Sequence, residues 1–422
     1  VKKLPSYLAL AVIAACAPAT RAPAPVSADS VRDLLEARDY FRLRALEGRL
    51  PDAPVALLAR ARTEAAFNDP AGSNRTIHDA LAGPVPDSLR FHLLSLEAGN
   101  HLRLHRYADA HAAALRALEV RAAADSADAD QLENLTRVFA ALRYAPPQTV
   151  ARGSGVSLRL DAGELPLAML PVTVNDSARS YVLDTGANLS TLMRSEAEAL
   201  GLEIRPAGFV VGTGTDHKVT ADVAVAGRVR VGEVEIRNVV FLVLDDEALT
   251  FPGGVRVHGI VGFPVLEALG ELRLHGRQRL EVPAEVPRRR TANLALEGLM
   301  PITSVAWEGE RFVCELDSGA NSTKFFEPFY RRFRRRIEAT ARPDSARYAG
   351  AGGAQLFQGY RLGRAWLAVG DTTVALDSAF VHSRPPPDPE EREFPACRLG
   401  QDVLAAYGGY VLNFRDMAFL LH

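Results

Sequence analysis

An acid, hydroxyl, glycine tripeptide at the end of an apolar strand occurs twice in this 422-residue chain, and that duplication constrains its fold more than any other feature. The first copy reads Tyr181-Val182-Leu183-Asp184-Thr185-Gly186-Ala187-Asn188, the second Phe312-Val313-Cys314-Glu315-Leu316-Asp317-Ser318-Gly319-Ala320-Asn321. Setting Asp184 over Asp317 brings other stretches into correspondence. Pro171-Val172-Thr173 precedes the first acid as Pro301-Ile302-Thr303 precedes the second, and Gly259-Ile260-Val261-Gly262 matches Cys397-Arg398-Leu399-Gly400. A lone strand-end aspartate commonly caps a turn. Two of them in the same relative place of two similar halves point instead to a pair of carboxylates brought face to face, with one chain sufficient to assemble the pair.

Two carboxyl groups within hydrogen-bond reach cannot both ionise, so they share one proton and titrate in two separated steps. Such a pair is a general base and a general acid in one place. The base takes a proton from a water lying between them while the acid protonates the carbonyl oxygen of an amide under attack. Gly186 and Gly319 let backbone amides come close to the carboxylates, and the Thr185 and Ser318 hydroxyls can bond across to the opposite loop. In these residues the chain resembles the retropepsin-like and pepsin-like aspartic proteases, whose active-site loops read Asp-Thr/Ser-Gly-Ala. The resemblance covers roughly residues 155 to 422. It implies a mostly β, bilobal domain that hydrolyses a peptide or protein substrate, with Asp184 and Asp317 catalytic and with no metal or organic cofactor.

The resemblance extends further. In that family a paired apolar-apolar-glycine run passes beside the acid loop in each half, and the runs ending at Gly262 and Gly400 take those places. A Gly-rich turn between acid and glycine run occupies the flap, a hairpin that closes over bound peptide and excludes water. The flap candidates are Gly212, Thr213 and Gly214 in the first half, Gly350 and Gly352 in the second. A nucleotide-binding reading of Gly212-x-Gly214 fails because no third glycine opens a helix and no Gly-Lys-Ser/Thr follows. Some positions depart from the family pattern. Arg398 replaces the first apolar residue of the second glycine run, where it is expected to disturb packing behind Asp317, and Tyr348 lies near the second flap while the first has no tyrosine. Such departures leave a reading from another class: a non-catalytic peptide-binding or scaffolding lipoprotein on a protease-like fold.

The chain is longer than one comfortable domain, and its 48% apolar and 24% charged composition is that of an ordinary globular protein. A net charge of -2 gives no reason to expect a nucleic-acid partner. Lys2 and Lys3 precede the apolar run Leu8 to Ala15, too short to span a membrane and suited to a secretory signal. The run ends Ile13-Ala14-Ala15-Cys16, which resembles a bacterial lipobox. That resemblance implies a lipid on Cys16 and an exported, membrane-anchored lipoprotein, on the outer membrane facing the periplasm or on the cell surface; a plain signal peptide with an incidental cysteine is the alternative. Export would put Cys314 and Cys397 in an oxidising space, where a bridge between them and a buried thiol on the Asp317 strand are both open.

From Ser30 to about Tyr144 apolar residues recur at three- and four-residue spacing, with breaks near Pro51, Asp69-Pro70 and Gly83-Pro84, which predicts about six helices in antiparallel pairs. His92 to Arg121 resembles a tetratricopeptide-type hairpin, with Ala98, Ala110 and Ala117 where that repeat places small residues; the resemblance implies a layer that binds a protein partner or packs against the enzyme. His101 and His105 are read as sharing a helix face, but with His111 they lack an acidic ligand at matching spacing and are taken as a solvated polar face, not a metal site. Short strands follow Gly153-Ser154-Gly155, among them Ala168–Val174, Val219–Val225, Val229–Ile236 and Val239–Leu244. The expected organisation is multidomain: a signal peptide and lipobox over 1–16, a flexible spacer over 17–29, an all-α helical-hairpin domain over 30–145, then a first mostly β aspartic-protease-like lobe over 155–283, a connector over 284–291 and a second lobe over 292–422.

Overall fold

A computed structural model of the chain describes residues 25–212, 218–350, 352–385 and 395–422, so Cys16, Thr213 and Gly214 lie outside the described residues. Seven α-helices come first, running from Ala28–Glu36 to Ser126–Leu142. The first begins at Ala28, inside the stretch expected to be spacer, because the Ser27 hydroxyl caps it by accepting from the Ser30 amide at 3.1 Å. The extra helix arises at residues 36–40: Arg38 adopts a left-handed backbone (φ 52°) and Asp39 caps a new helix, Tyr40–Ala45. Helices Asp87–Arg103 and Tyr107–Leu118 form the predicted hairpin, with Ala98, Ala110 and Ala117 buried in one cluster. His105 does not share a helix face with His101. The helix ends at Arg103 and His105 sits in the turn at φ 55°, while His101 faces the buried Glu97 at 3.7 Å.

The strands begin at Thr149–Ala151, ahead of the turn where the sequence pattern changes. In the first lobe, Val234–Leu244 pairs with Ser190–Met193 on one side and Val219–Val231 on the other, which closes the sheet on itself. The stretch Val229–Ile236 is two strands, not one: the chain reverses at Gly232 (φ 56°), and Val231 faces Val234. Apolar alternation continues across that two-residue turn, which is why the pattern hides it. The second lobe repeats the hairpin before the acid as Met300–Trp307 with Glu310–Leu316, but its ten-stranded sheet stays open.

Two interfaces unite the molecule. Glu271–His275 from the end of the first lobe pairs antiparallel with Gly409–Asn413 from the end of the second, in a five-stranded sheet whose Leu272, Leu274, Leu412 and Phe419 join a core common to both lobes. The helical layer packs on both lobes as well. Tyr107, Val138 and Leu142 cover Val182, Leu242 and Ile260 of the first, and helix Pro54–Ala66 buries Leu58 and Ala59 in a cluster with Ala295, Ile302 and Val313 of the second. The Asn134 amide grips the edge strand Ile204–Val211, accepting from the Val210 N–H at 2.8 Å and donating to its carbonyl at 2.7 Å. An otherwise unpaired strand edge is thereby satisfied by a side chain.

Cys314 and Cys397 are register partners on neighbouring parallel strands, Cα atoms 4.6 Å apart, and form a disulfide across 83 residues. A cross-link over a loop of that length constrains the unfolded chain. Replacing both cysteines with alanine is expected to lower the unfolding free energy by about 2–5 kcal/mol, read from urea titrations of the full chain; an unchanged midpoint would count against the bridge.

Candidate active site

Each acid is delivered by the same local construction. Apolar strands Ser177–Leu183 and Glu310–Leu316 end at Asp184 and Asp317, and each has a glycine-run strand parallel beside it, Gly259–Val261 and Cys397–Leu399. The Asp184 N–H donates to the Val261 carbonyl at 3.1 Å, and the Asp317 N–H to the Leu399 carbonyl at 3.0 Å. The glycines that follow pass against the loops: a Cβ on Gly262 would lie 2.7 Å from the Ala187 carbonyl oxygen, and one on Gly400 2.8 Å from that of Ala320. Only glycine permits that approach. Hydroxyls fix the crossing, Ser190 accepting from the Gly262 N–H and Thr323 from the Gly400 N–H.

The two loops then lock together. The Thr185 N–H donates to the Ser318 Oγ and the Ser318 N–H to the Thr185 Oγ1, both at 3.0 Å. The Thr185 hydroxyl donates onward to the Leu316 carbonyl at 2.6 Å and the Ser318 hydroxyl to the Leu183 carbonyl at 2.9 Å. Thr185 and Ser318 are buried, so each of the four bonds replaces hydration that is not available there. The Gln401 side chain donates to the Ser318 carbonyl at 2.7 Å and extends the lock into the second lobe.

This arrangement brings all six loop residues of the sequence reading into one place, with Asp184 and Asp317 facing each other across it. A Cβ on Gly186 would lie 2.6 Å from Cγ of Asp317, and a Cβ on Gly319 would lie 2.4 Å from Oδ2 of Asp184. Each loop glycine therefore lies against the opposite carboxyl group, which no larger residue would allow. The Gly186 and Gly319 amides each donate at 2.8 Å to the carboxylate of their own loop. Burial, then the charge of Asp317, then their mutual hydrogen bond push the Asp184 carboxyl well above the usual value of 3.8; the Gly186 N–H and Arg398 oppose the shift. Both carboxyl groups remain partly open to solvent.

Of the flap candidates, Gly212 is exposed just past the first hairpin strand Ile204–Val211, and Gly350 and Gly352 lie at the tip of the hairpin Arg342–Gly350 with Gly353–Leu362. The Gly352 N–H reaches the Ala248 carbonyl of the first lobe at 2.9 Å, so the second hairpin touches across the lobes. Contrary to the expectation from its charge, Arg398 is accommodated behind Asp317. Its Nε donates to Glu315 at 2.8 Å, and the guanidinium lies over the Phe326 ring, so charge and stem are both accommodated. Glu315, Gln401, Ser190 and Thr323 were not singled out by the sequence. The detectable signal was Glu315, a charge two residues before Asp317 in an apolar strand, opposite a second oddity, Arg398. Among the described residues no group of three or more His, Cys, Asp and Glu side chains could hold a metal ion.

With this geometry in hand, comparisons with known proteins can be placed on it. No curated protein matches the chain. Among solved structures it is similar to the crystal structure of a retropepsin-like aspartic protease from Rickettsia conorii, at 18% identity over 32% of this chain and 95% of that one, with a TM-score of 0.22. It is similar also to the crystal structure of Basic 7S globulin from soybean, at 8% identity over 63% of this chain and 93% of that one, with a TM-score of 0.38. Residues 170–265 match the family model described as aspartyl protease, a span within the first lobe that includes Asp184, Thr185 and Gly186.

Proposed function

We propose that the protein is an aspartic endopeptidase, in which a water molecule activated between Asp184 and Asp317 hydrolyses peptide bonds. The observation that carries this reading is the mutual approach of the two loops, each glycine against the other loop's carboxyl group. In the first step one carboxylate takes a proton from the water as its oxygen bonds to the amide carbon, and the other acid gives its proton to the carbonyl oxygen. The product is a neutral gem-diol, and the proton has changed sides. On collapse the newly protonated acid gives its proton to the amide nitrogen as the C–N bond breaks. The other carboxylate takes one from a gem-diol hydroxyl. Acid and amine leave, and the pair is back in its first state. Thr185, Ser318, Gly186 and Gly319 hold the carboxyls in register for both transfers.

The hairpins ending at Gly212 and at Gly350–Gly352 are the candidates for covering a bound peptide, and the helical layer against the first hairpin is the candidate for steadying it. The sequence at Cys16 supports extending the proposal to an exported enzyme tethered to a membrane by lipid.

The reading is tested with purified full-length chain and a mixed peptide library. Asp184→Asn and Asp317→Asn are each expected to reduce cleavage by about 10²–10⁴-fold or more while the protein stays folded; cleavage at the parental rate by either variant would sink it. The pH profile offers a separate check. The pair works with one proton, and the raised Asp184 keeps that proton above the range where ordinary carboxylates have lost theirs. Activity should therefore persist through mildly acidic pH and fall as pH rises through the raised value. Stability should follow the same direction: the contribution of a protonated Asp184 is complete below 3.8 and is lost as pH rises through the folded-state value. A cleavage rate still climbing well into alkaline pH would contradict the shared-proton mechanism.

A further inference from the structure

The two acid loops repeat each other in strand pairing, glycine contacts and hydrogen bonds, yet they differ sharply at one pair of register partners. Ile260 stands beside Val182 in the first lobe, and Arg398 stands beside Glu315 in the second. The first pair is apolar and packs beneath the helical layer. The second is an ion pair, and the same Nε that binds Glu315 lies 3.5 Å from Oδ2 of Asp317. A cation touches one acid of the dyad, while an isoleucine holds the matching place beside the other.

We propose that Arg398 is a positioning residue that sets the division of labour in the dyad, holding Asp317 as the carboxylate that accepts the water proton and leaving the shared proton on Asp184 for the substrate carbonyl oxygen. This inference rests on the peptidase reading above and deepens it. A guanidinium in contact with a carboxylate favours its ionised form by about 1–3 pH units, and the Arg398 side chain is only 20% exposed, so solvent screens it weakly. Glu315 works against this effect by its charge but anchors the guanidinium by its hydrogen bond.

The other groups facing the acids do not reverse the asymmetry. Lys324, register partner of Arg398, adds a second cation on the Asp317 side, its ammonium 3.7 Å from the Tyr348 ring centre. Asp402 is held by the Thr323 amide and hydroxyl. His382 stacks on Phe326 and Tyr348, and burial, with Lys324 and Arg398, drives its pKa down to about 3, so it is neutral in the working range. Tyr410 lies buried near both acids, its ionisation pushed far up by burial and then by their charges. On Asp184 the charge of Asp317 raises the carboxyl and that of Arg398 lowers it.

The test transplants the first lobe's pair into the second. Glu315→Val with Arg398→Ile removes both charges together and leaves no unpaired buried carboxylate, and Arg398→Lys keeps the cation. Carbon-13 NMR titration of aspartate carboxyls in the full chain, with the two signals assigned through Asp184→Asn and Asp317→Asn, reads each acid directly and does not depend on activity. In the parent, Asp317 should ionise at least about one pH unit below Asp184. Relative to Glu315→Val alone, the double variant should raise the Asp317 midpoint by about one unit or more, and the acidic limb of the cleavage profile should rise with it. Arg398→Lys should keep most of the parental separation. A parent in which Asp184 ionises first, or a double variant whose Asp317 midpoint equals that of Glu315→Val alone, overturns the proposal. Absence of cleavage by a parent with the expected titration order would instead overturn the peptidase reading and leave the electrostatic assignment standing.

Discussion

The structure depends on the reciprocal lock between Thr185 and Ser318. Each hydroxyl accepts from the opposite loop's amide and donates to a carbonyl of the opposite strand, so four bonds tie the lobes at the point where the acids meet. A typical internal hydrogen bond contributes only about 1 kcal/mol net, and four of them would not join two lobes alone. Their weight lies in the cost of breaking them: a buried polar group left without a partner costs about 1–3 kcal/mol. The five-stranded sheet formed by both lobes supplies the apolar area, and the lock supplies the register that aims the carboxyls.

Duplication supplies the symmetry of the acid pair, and the surroundings remove it. On the first lobe the sheet face bearing Val182, Ile260 and Leu242 is apolar and lies under the helices. At the places matching Val182 and Ile260 the second lobe carries Glu315, which is buried, and Arg398, which is partly exposed. Docking a helical layer requires apolar surface, so the first lobe cannot carry charges there without large desolvation cost. The second lobe meets a helix as well, at Ile302 and Val313, and there the buried Glu315 is answered by Arg398 in an ion pair.

The helical layer also reaches the first hairpin. Asn134 holds the Val210 backbone by two hydrogen bonds, and Arg137 donates to the Gly208 carbonyl at 3.2 Å. Backbone groups at a sheet edge are thereby paired within the molecule, with the helix taking the place of a further strand. The last helix is thereby hydrogen-bonded directly to the stem of the first hairpin.

Much of the site was legible because its chemistry is local. Acid, hydroxyl and glycine lie in consecutive positions, and their repetition can be seen without any knowledge of pairing; helix periodicity up to Leu142 and strand alternation after it are likewise short-range signals. What the pattern could not reach are contacts fixed by cross-strand register and by domain docking. Glu315 and Arg398 are 83 residues apart, and Asn134 and Val210 are 76 apart. The reversal at Gly232 was hidden because alternation runs through it, and the turn at His105 because helix periodicity does not mark where a helix stops. The sequence by itself determined two copies of an acid loop on mostly β halves behind a helical segment. Tertiary structure alone decided that Arg398 would find a carboxylate partner instead of disrupting a core and that the helices would pack on both lobes and grip the first hairpin, because a one-residue change of register sends every side chain of a strand to the opposite face.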